Sequence, residues 1–184
     1  LGTDHTGILV LPEGPEPGTV PPNNWIRSWS DQPAWTFDVA SQQWYLHLFL
    51  AEQPDLNWRN PEVVAEFVDI LRFWLDRGAD GFRIDVSDAL IKDESFPDTD
   101  NGDPVIPKDE SSPVHDVYRE LRKVLDSYPG DRMAVIETGA EDDIVALFLR
   151  PDEMHLAFNF RFVHAGFAGP DLRRIRETTS NGSP

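Results

Sequence analysis

Apolar side chains recur at Val64, Phe67, Val68, Leu71, Trp74 and Leu75, the spacing of a helix with one buried face. Asn60 and Pro61 mark its start, since Asn can cap a helix and Pro suits its first position. Gly78 stands where a left-handed cap residue belongs. Val114, Val117, Leu121 and Leu125 form a second stripe, opened by Ser112-Pro113 and closed by Tyr128-Pro129-Gly130. The apolar runs Trp44–Leu50, Phe82–Val86, Met133–Ile136 and His155–Phe160 are short enough to read as strands. Ile144 to Leu149 reads as a short helix, and another is expected over Asp171–Thr178. Residues 1–35 hold Pro12, Pro15, Pro17, Pro21, Pro22 and Pro33 and predict irregular loop, although Trp25, Trp29 and Trp35 require it to pack on something. Residues 87–112 predict a long polar loop. Helices alternating with short apolar strands indicate a parallel sheet joined by right-handed crossovers. The three strands that alternate with helices, Phe82–Val86, Met133–Ile136 and His155–Phe160, cannot close a barrel, which needs about eight, so the chain reads as a slice of a larger architecture.

Two carboxylates occupy the positions where parallel α/β folds build their sites, the C-terminal ends of strands. Asp85 lies near the end of Phe82–Val86, and Glu137 directly follows Met133–Ile136. An acid on a buried strand is costly unless paired, and Arg83 stands two residues before Asp85, on the same strand face. One reading is a structural Arg–Asp pair, with Glu137 capping the helix that follows. The other is a pair of carboxylates converging on one mouth, about 5–5.5 Å apart as in a retaining glycosidase, one as nucleophile and one as acid/base. The residues alone leave both open. His47 and His155 lie within apolar runs and read as packed side chains. The acidic stretch Asp98–Asp103 reads as a solvated loop, because its Gly falls at the wrong position for an EF-hand.

Composition narrows the partners. Sixteen basic against thirty-three acidic residues give a net charge of −17, which repels nucleic acid and anionic lipid and suits a neutral substrate. Six Trp and eleven Phe argue against a disordered chain. The absence of cysteine excludes disulfides, a thiolate nucleophile and a cysteine zinc site. No apolar run approaches the roughly 20 residues that span a bilayer. With no basic and apolar leader following Leu1, the expected location is cytoplasmic.

Longer motifs add a resemblance. Gly81–Val86 (GFRIDV) is similar to the nucleophile-bearing motif of the α-amylase clan of glycoside hydrolases, and Met133–Glu137 (MAVIE) resembles the strand bearing that clan's acid/base. Gln53–Asn57 (QPDLN) resembles a motif of its oligo-1,6-glucosidase/α-glucosidase branch. The resemblance implies a partial (β/α)8 TIM barrel, about strands four to six, over residues 51–184, with residues 1–50 the remainder of an inserted loop domain. It implies retaining hydrolysis of terminal α-1,6 or α-1,4 glucosidic bonds in oligosaccharides, with Asp85 as nucleophile and Glu137 as acid/base. Arg83 is the implied partner that keeps the nucleophile ionised, and Val86 matches a position shaping the site beside the cleaved bond, with a lean toward α-1,6 linkages. No cofactor or metal is implied. Ile136 replaces the usual Gly before the acid/base, and Ser87-Asp88 replace a usual pair of imidazoles. The Asn-His and His-Asp motifs, the second of which carries a third carboxylate, are not found. The chain alone is therefore expected to be inactive, as part of a larger enzyme. Glucosyl transfer or sugar isomerisation on the same intermediate, or a non-catalytic glucosidase-like subunit, would fit the same resemblance.

Overall fold

The computed structural model describes residues 7–8, 10–11 and 20–164, and the helix expected over 171–178 lies outside them. Helix α1 (Pro61–Leu75) begins as its sequence dictates: the Asn60 side chain accepts the Glu62 N–H, and Pro61 follows where no donor is needed. It ends before Gly78, whose φ of 95° is the left-handed conformation glycine adopts without penalty. Helix α2 (Val114–Asp126) turns Val114, Val117, Tyr118, Leu121, Val124 and Leu125 inward. Strands β4 (Gly81–Ile84), β5 (Met133–Ile136) and β6 (Leu156–Ala157) form a parallel sheet in that order. Gly81 is required at the start of β4, because a Cβ there would lie 2.2 Å from the Met133 carbonyl oxygen of β5. Helix α3 (Asp142–Phe148) crosses from β5 to β6, and α4 (Phe160–His164) follows. Leu71 and Leu75 of α1, the inward face of α2, Ala134 and Ile136 of β5, and Phe148 make the first core.

The N-terminal region carries a second sheet that the proline-rich sequence did not predict. Strands β1 (Val10–Leu11), β2 (Trp35–Asp38) and β3 (Gln43–Leu46) pair antiparallel in the order β1-β3-β2. The β2–β3 hairpin is nucleated by Asp38, whose carboxylate accepts the N–H groups of Ala40 and Ser41 and the Ser41 hydroxyl. The strand expected over 44–50 stops at Leu46, because the Leu48 N–H turns to the Asp55 carboxylate. The second core contains Trp25, Trp35, Trp44, Leu46 and Leu48, and the loop after β4 contributes Ala89 and Phe96. That loop, expected to be polar throughout, also opens with a single 3-10 turn at Ser87–Ala89. The strand expected over 155–160 is only Leu156–Ala157, because the Asn159 side chain accepts the Phe162 N–H and starts α4. Among the described residues no helix is long and apolar enough to cross a membrane.

Buried charges tie the layers together. The Lys92 ammonium, almost wholly buried, pairs with Asp55. Glu153 is fully buried and meets His115 at 2.8 Å and Arg119 at 3.0 Å, joining α2 to the segment before β6. His47 is packed as expected, its ring bonded to the Thr36 hydroxyl.

His155 gives a testable pH dependence. Its Nδ1 accepts the Ala134 N–H at 3.2 Å, so that nitrogen must be unprotonated. Burial first, and then the charge of Arg122, lower its pKa below the ordinary value, with Asp126 opposing. A depressed imidazole contributes stability that is present above the unfolded value of about 6.5 and is lost as pH falls through the folded one. Exchange protection of the Ala134 amide, corrected for intrinsic rates, is expected to fall as pH is lowered below about 6.5. Unchanged protection would contradict this assignment.

Candidate active site

Because β4 and β5 run parallel with Ile84 opposite Ile136, the residues that follow each strand emerge at one end of the sheet. Asp85 and Glu137 are those residues. One guanidinium nitrogen of Arg83 meets Asp85 Oδ1 at 2.6 Å and Glu137 Oε2 at 2.5 Å. Sharing a single nitrogen, the two carboxylate oxygens lie within about 5 Å of each other, the scale of a retaining pair. Arg83 is therefore not paired with Asp85 alone. Glu137 is also not the cap of the next helix, since α3 begins at Asp142 behind Glu141.

Asp85 is held below its ordinary pKa, first by a hydrogen bond with the Glu137 carboxyl, against an opposing burial effect, and then by the charge and hydrogen bond of Arg83. Burial works against the Arg83 charge, but the Glu137 hydrogen bond and the two negative neighbours hold its pKa raised. The Arg83 guanidinium also stands 5.5 Å from the ring centroid of Phe158, beyond β6, an aromatic neighbour that no sequence motif indicated. The side chains remain open to water: 47% of Arg83, 64% of Asp85 and 25% of Glu137 is exposed. The sequence implied a buried acid; a three-stranded sheet supplies only one wall around it.

Behind the carboxylates the backbone is tightly bonded. Val86 adopts φ 45° and ψ 44°, a left-handed conformation that is strained for a β-branched side chain. Ser87 then turns back, and both its N–H and its hydroxyl donate to the Glu137 carbonyl at 2.9 Å. The Tyr118 hydroxyl of α2 donates to the Ser87 carbonyl at 2.5 Å. Sequence reasoning missed Ser87 and Tyr118 as site residues, because one lies in a polar stretch and the other on an apolar stripe. Two broad grooves among the described residues lie away from this pair. One runs between α1 and α2 beside Trp58, Val64 and Val117, and another lies beside Tyr128 and His155.

Residues 10–177 match the family described as alpha amylase, catalytic domain. The chain is 36% identical over 170 residues to an alpha-glucosidase of Culex pipiens, an alignment covering 82% of this chain and 29% of that protein. It is likewise 36% identical over 162 residues to an oligo-1,6-glucosidase of Heyndrickxia coagulans, covering 82% of this chain and 28% of the relative. The crystal structure of an alpha-glucosyl transfer enzyme superposes with a TM-score of 0.77 at 30% identity, covering 94% of this chain and 36% of that one. The chain thus spans less than a third of the length of these two curated relatives. Its three-stranded parallel sheet, with the helices beside it, is part of a (β/α)8 barrel. The chain belongs to the alpha-amylase catalytic-domain family.

Proposed function

We propose that this chain carries the catalytic carboxylate pair of a retaining α-glucosidase acting on terminal α-1,6 or α-1,4 bonds of oligosaccharides. The observation that carries the reading is the Arg83 nitrogen bonded to both Asp85 and Glu137 at one sheet end. Asp85, kept ionised, attacks the anomeric carbon while Glu137 protonates the departing glycosidic oxygen. Glu137 then takes a proton from water, which releases the sugar from Asp85. Arg83 orients both acids, and Val86 shapes the neighbouring wall. On this reading residues 1–50 are the remainder of an inserted loop domain and residues 51–184 the barrel segment, within a larger cytoplasmic enzyme. The identity with an alpha-glucosidase and an oligo-1,6-glucosidase supports this activity. Likeness to an alpha-glucosyl transfer enzyme supports a second reading, in which a sugar acceptor replaces water on the same intermediate.

The test is the stereochemistry of the first-formed product. The protein that carries this chain is expected to release α-glucose from 4-nitrophenyl α-glucoside, whose single glucose is the transferred one, before mutarotation, as proton NMR will record. First release of the β-anomer would rule out the retaining mechanism with Asp85 as nucleophile. A glucosylated acceptor in place of free glucose would favour transfer.

A further inference from the structure

We propose that Ser87 is a positioning residue for Glu137, fixing the strand end from which the acid/base carboxyl projects. The proposal rests on the acid/base reading of Glu137 and goes further into how that group is held.

The ladder between β4 and β5 is regular as far as the Glu137 N–H. The Met133 N–H donates to the Asp80 carbonyl and the Glu137 N–H to the Ile84 carbonyl, so a regular parallel ladder would continue from the Val86 N–H to the Glu137 carbonyl. The donor is Ser87 instead. One extra residue has been inserted, and Val86 absorbs it by adopting its left-handed conformation. Such a bulge re-aims the side chains around it, and this one sits directly after Asp85.

The insertion places the Ser87 hydroxyl where it can add a second bond to the same carbonyl. A carbonyl oxygen has two lone pairs, and those of Glu137 are both occupied, by the N–H and the hydroxyl of one residue. Ser87 is itself immobilised: it is fully buried, and its own carbonyl takes the Tyr118 hydroxyl. Tyr118 is fully buried too, and its ring meets Phe148 edge-on at 5.6 Å. Burial raises the Tyr118 phenol well above its ordinary pKa, which keeps the donor protonated. A continuous chain therefore runs from the core face of α2 through Ser87 to the Glu137 backbone. It fixes the base of a side chain that is itself partly open to water, and misplacing a catalytic group by about 1 Å can cost about a hundredfold in rate.

The experiment uses the protein that carries this chain and two substrates. Isomaltose has a poor leaving group and depends on protonation; 4-nitrophenyl α-glucoside has an activated one and needs little. Ser87→Ala is expected to lower kcat/KM, which reports the first step, about tenfold on isomaltose and less than about twofold on the aryl glucoside. Ser87→Thr, which retains the hydroxyl, is expected to restore most of the loss. The ratio of the two kcat/KM values does not depend on how much of the variant folds, so a purely structural defect would leave it unchanged. Glu137→Gln is the control and should show the same discrimination, more strongly. An unchanged ratio in Ser87→Ala beside a changed one in Glu137→Gln would overturn the positioning role alone. An unchanged ratio in Glu137→Gln would overturn the acid/base reading and the positioning role with it.

Discussion

Asp85→Asn is expected to reduce kcat by about 10⁴-fold or more, because the amide keeps the shape of the side chain but is a poor nucleophile. It also loses the charge that Arg83 meets at 2.6 Å, leaving the guanidinium to Glu137 alone. Rapid acid quench of the wild-type reaction followed by intact mass measurement should detect a hexosyl adduct that the variant never forms. The acid limb of wild-type kcat/KM reports the ionisation of the free enzyme. Asp85 is depressed by the Glu137 hydrogen bond and by Arg83, so the limb it governs should fall below the ordinary aspartate range. An adduct in Asp85→Asn, or a loss smaller than about tenfold, would remove Asp85 from the mechanism.

The largest effect on stability is expected from Trp25→Ala. Trp25 is fully buried, its ring lies 5.4 Å from that of Phe96, and its indole N–H donates to the Pro97 carbonyl at 2.8 Å. Truncating a buried Trp costs about 3–5 kcal/mol through lost transfer energy and the cavity left behind. The unpaired Pro97 carbonyl adds to this. Trp29, only four positions further, is 94% exposed, and Trp29→Ala should change stability by less than about 0.5 kcal/mol. Denaturant melts of the two variants, followed by far-ultraviolet circular dichroism, decide the matter. Equal midpoints would show that the second core contributes little.

Local chemistry made the helices readable. Asn60-Pro61 and the stripe from Val64 to Leu75 specify α1 without tertiary help, and Ser112-Pro113 does nearly the same for α2. The parallel strands were legible as short apolar runs, and the carboxylate after each was legible as a candidate because parallel pairing alone brings both to one end. The antiparallel sheet was not. Its β2–β3 hairpin is local, but the core it lies on is closed by contacts remote in sequence, such as Trp25 with Phe96 and the Asn23 amide with the Phe96 carbonyl, which composition does not encode. Proline content correctly indicated loop around Pro21 and Pro22 but concealed β2 beyond Pro33. Within the site, the sequence pointed to Arg83 as the partner of Asp85 and missed that the same nitrogen reaches Glu137, since cross-strand register sets that contact. Ser87 stood out only as a departure from a motif, and its hold on Glu137 was not legible for a related reason. Its role depends on one inserted residue in a ladder, and a left-handed Val86 leaves no trace in hydrophobic pattern.

The loop that follows β4 does more than return the chain to α2. Because Ala89 and Phe96 lie in the second core, with Val86, Val105 and Ile106 against it, the aromatic unit is assembled from two stretches far apart in sequence. An engineer transplanting it onto another barrel scaffold would have to carry both pieces, residues 20–50 and 86–106, as a split cassette. Cutting at a single boundary would leave Trp25 and Trp35 facing a void where the Phe96 ring belongs. The second piece begins at Val86, immediately after Asp85, so every such graft has a seam one peptide bond from the candidate nucleophile.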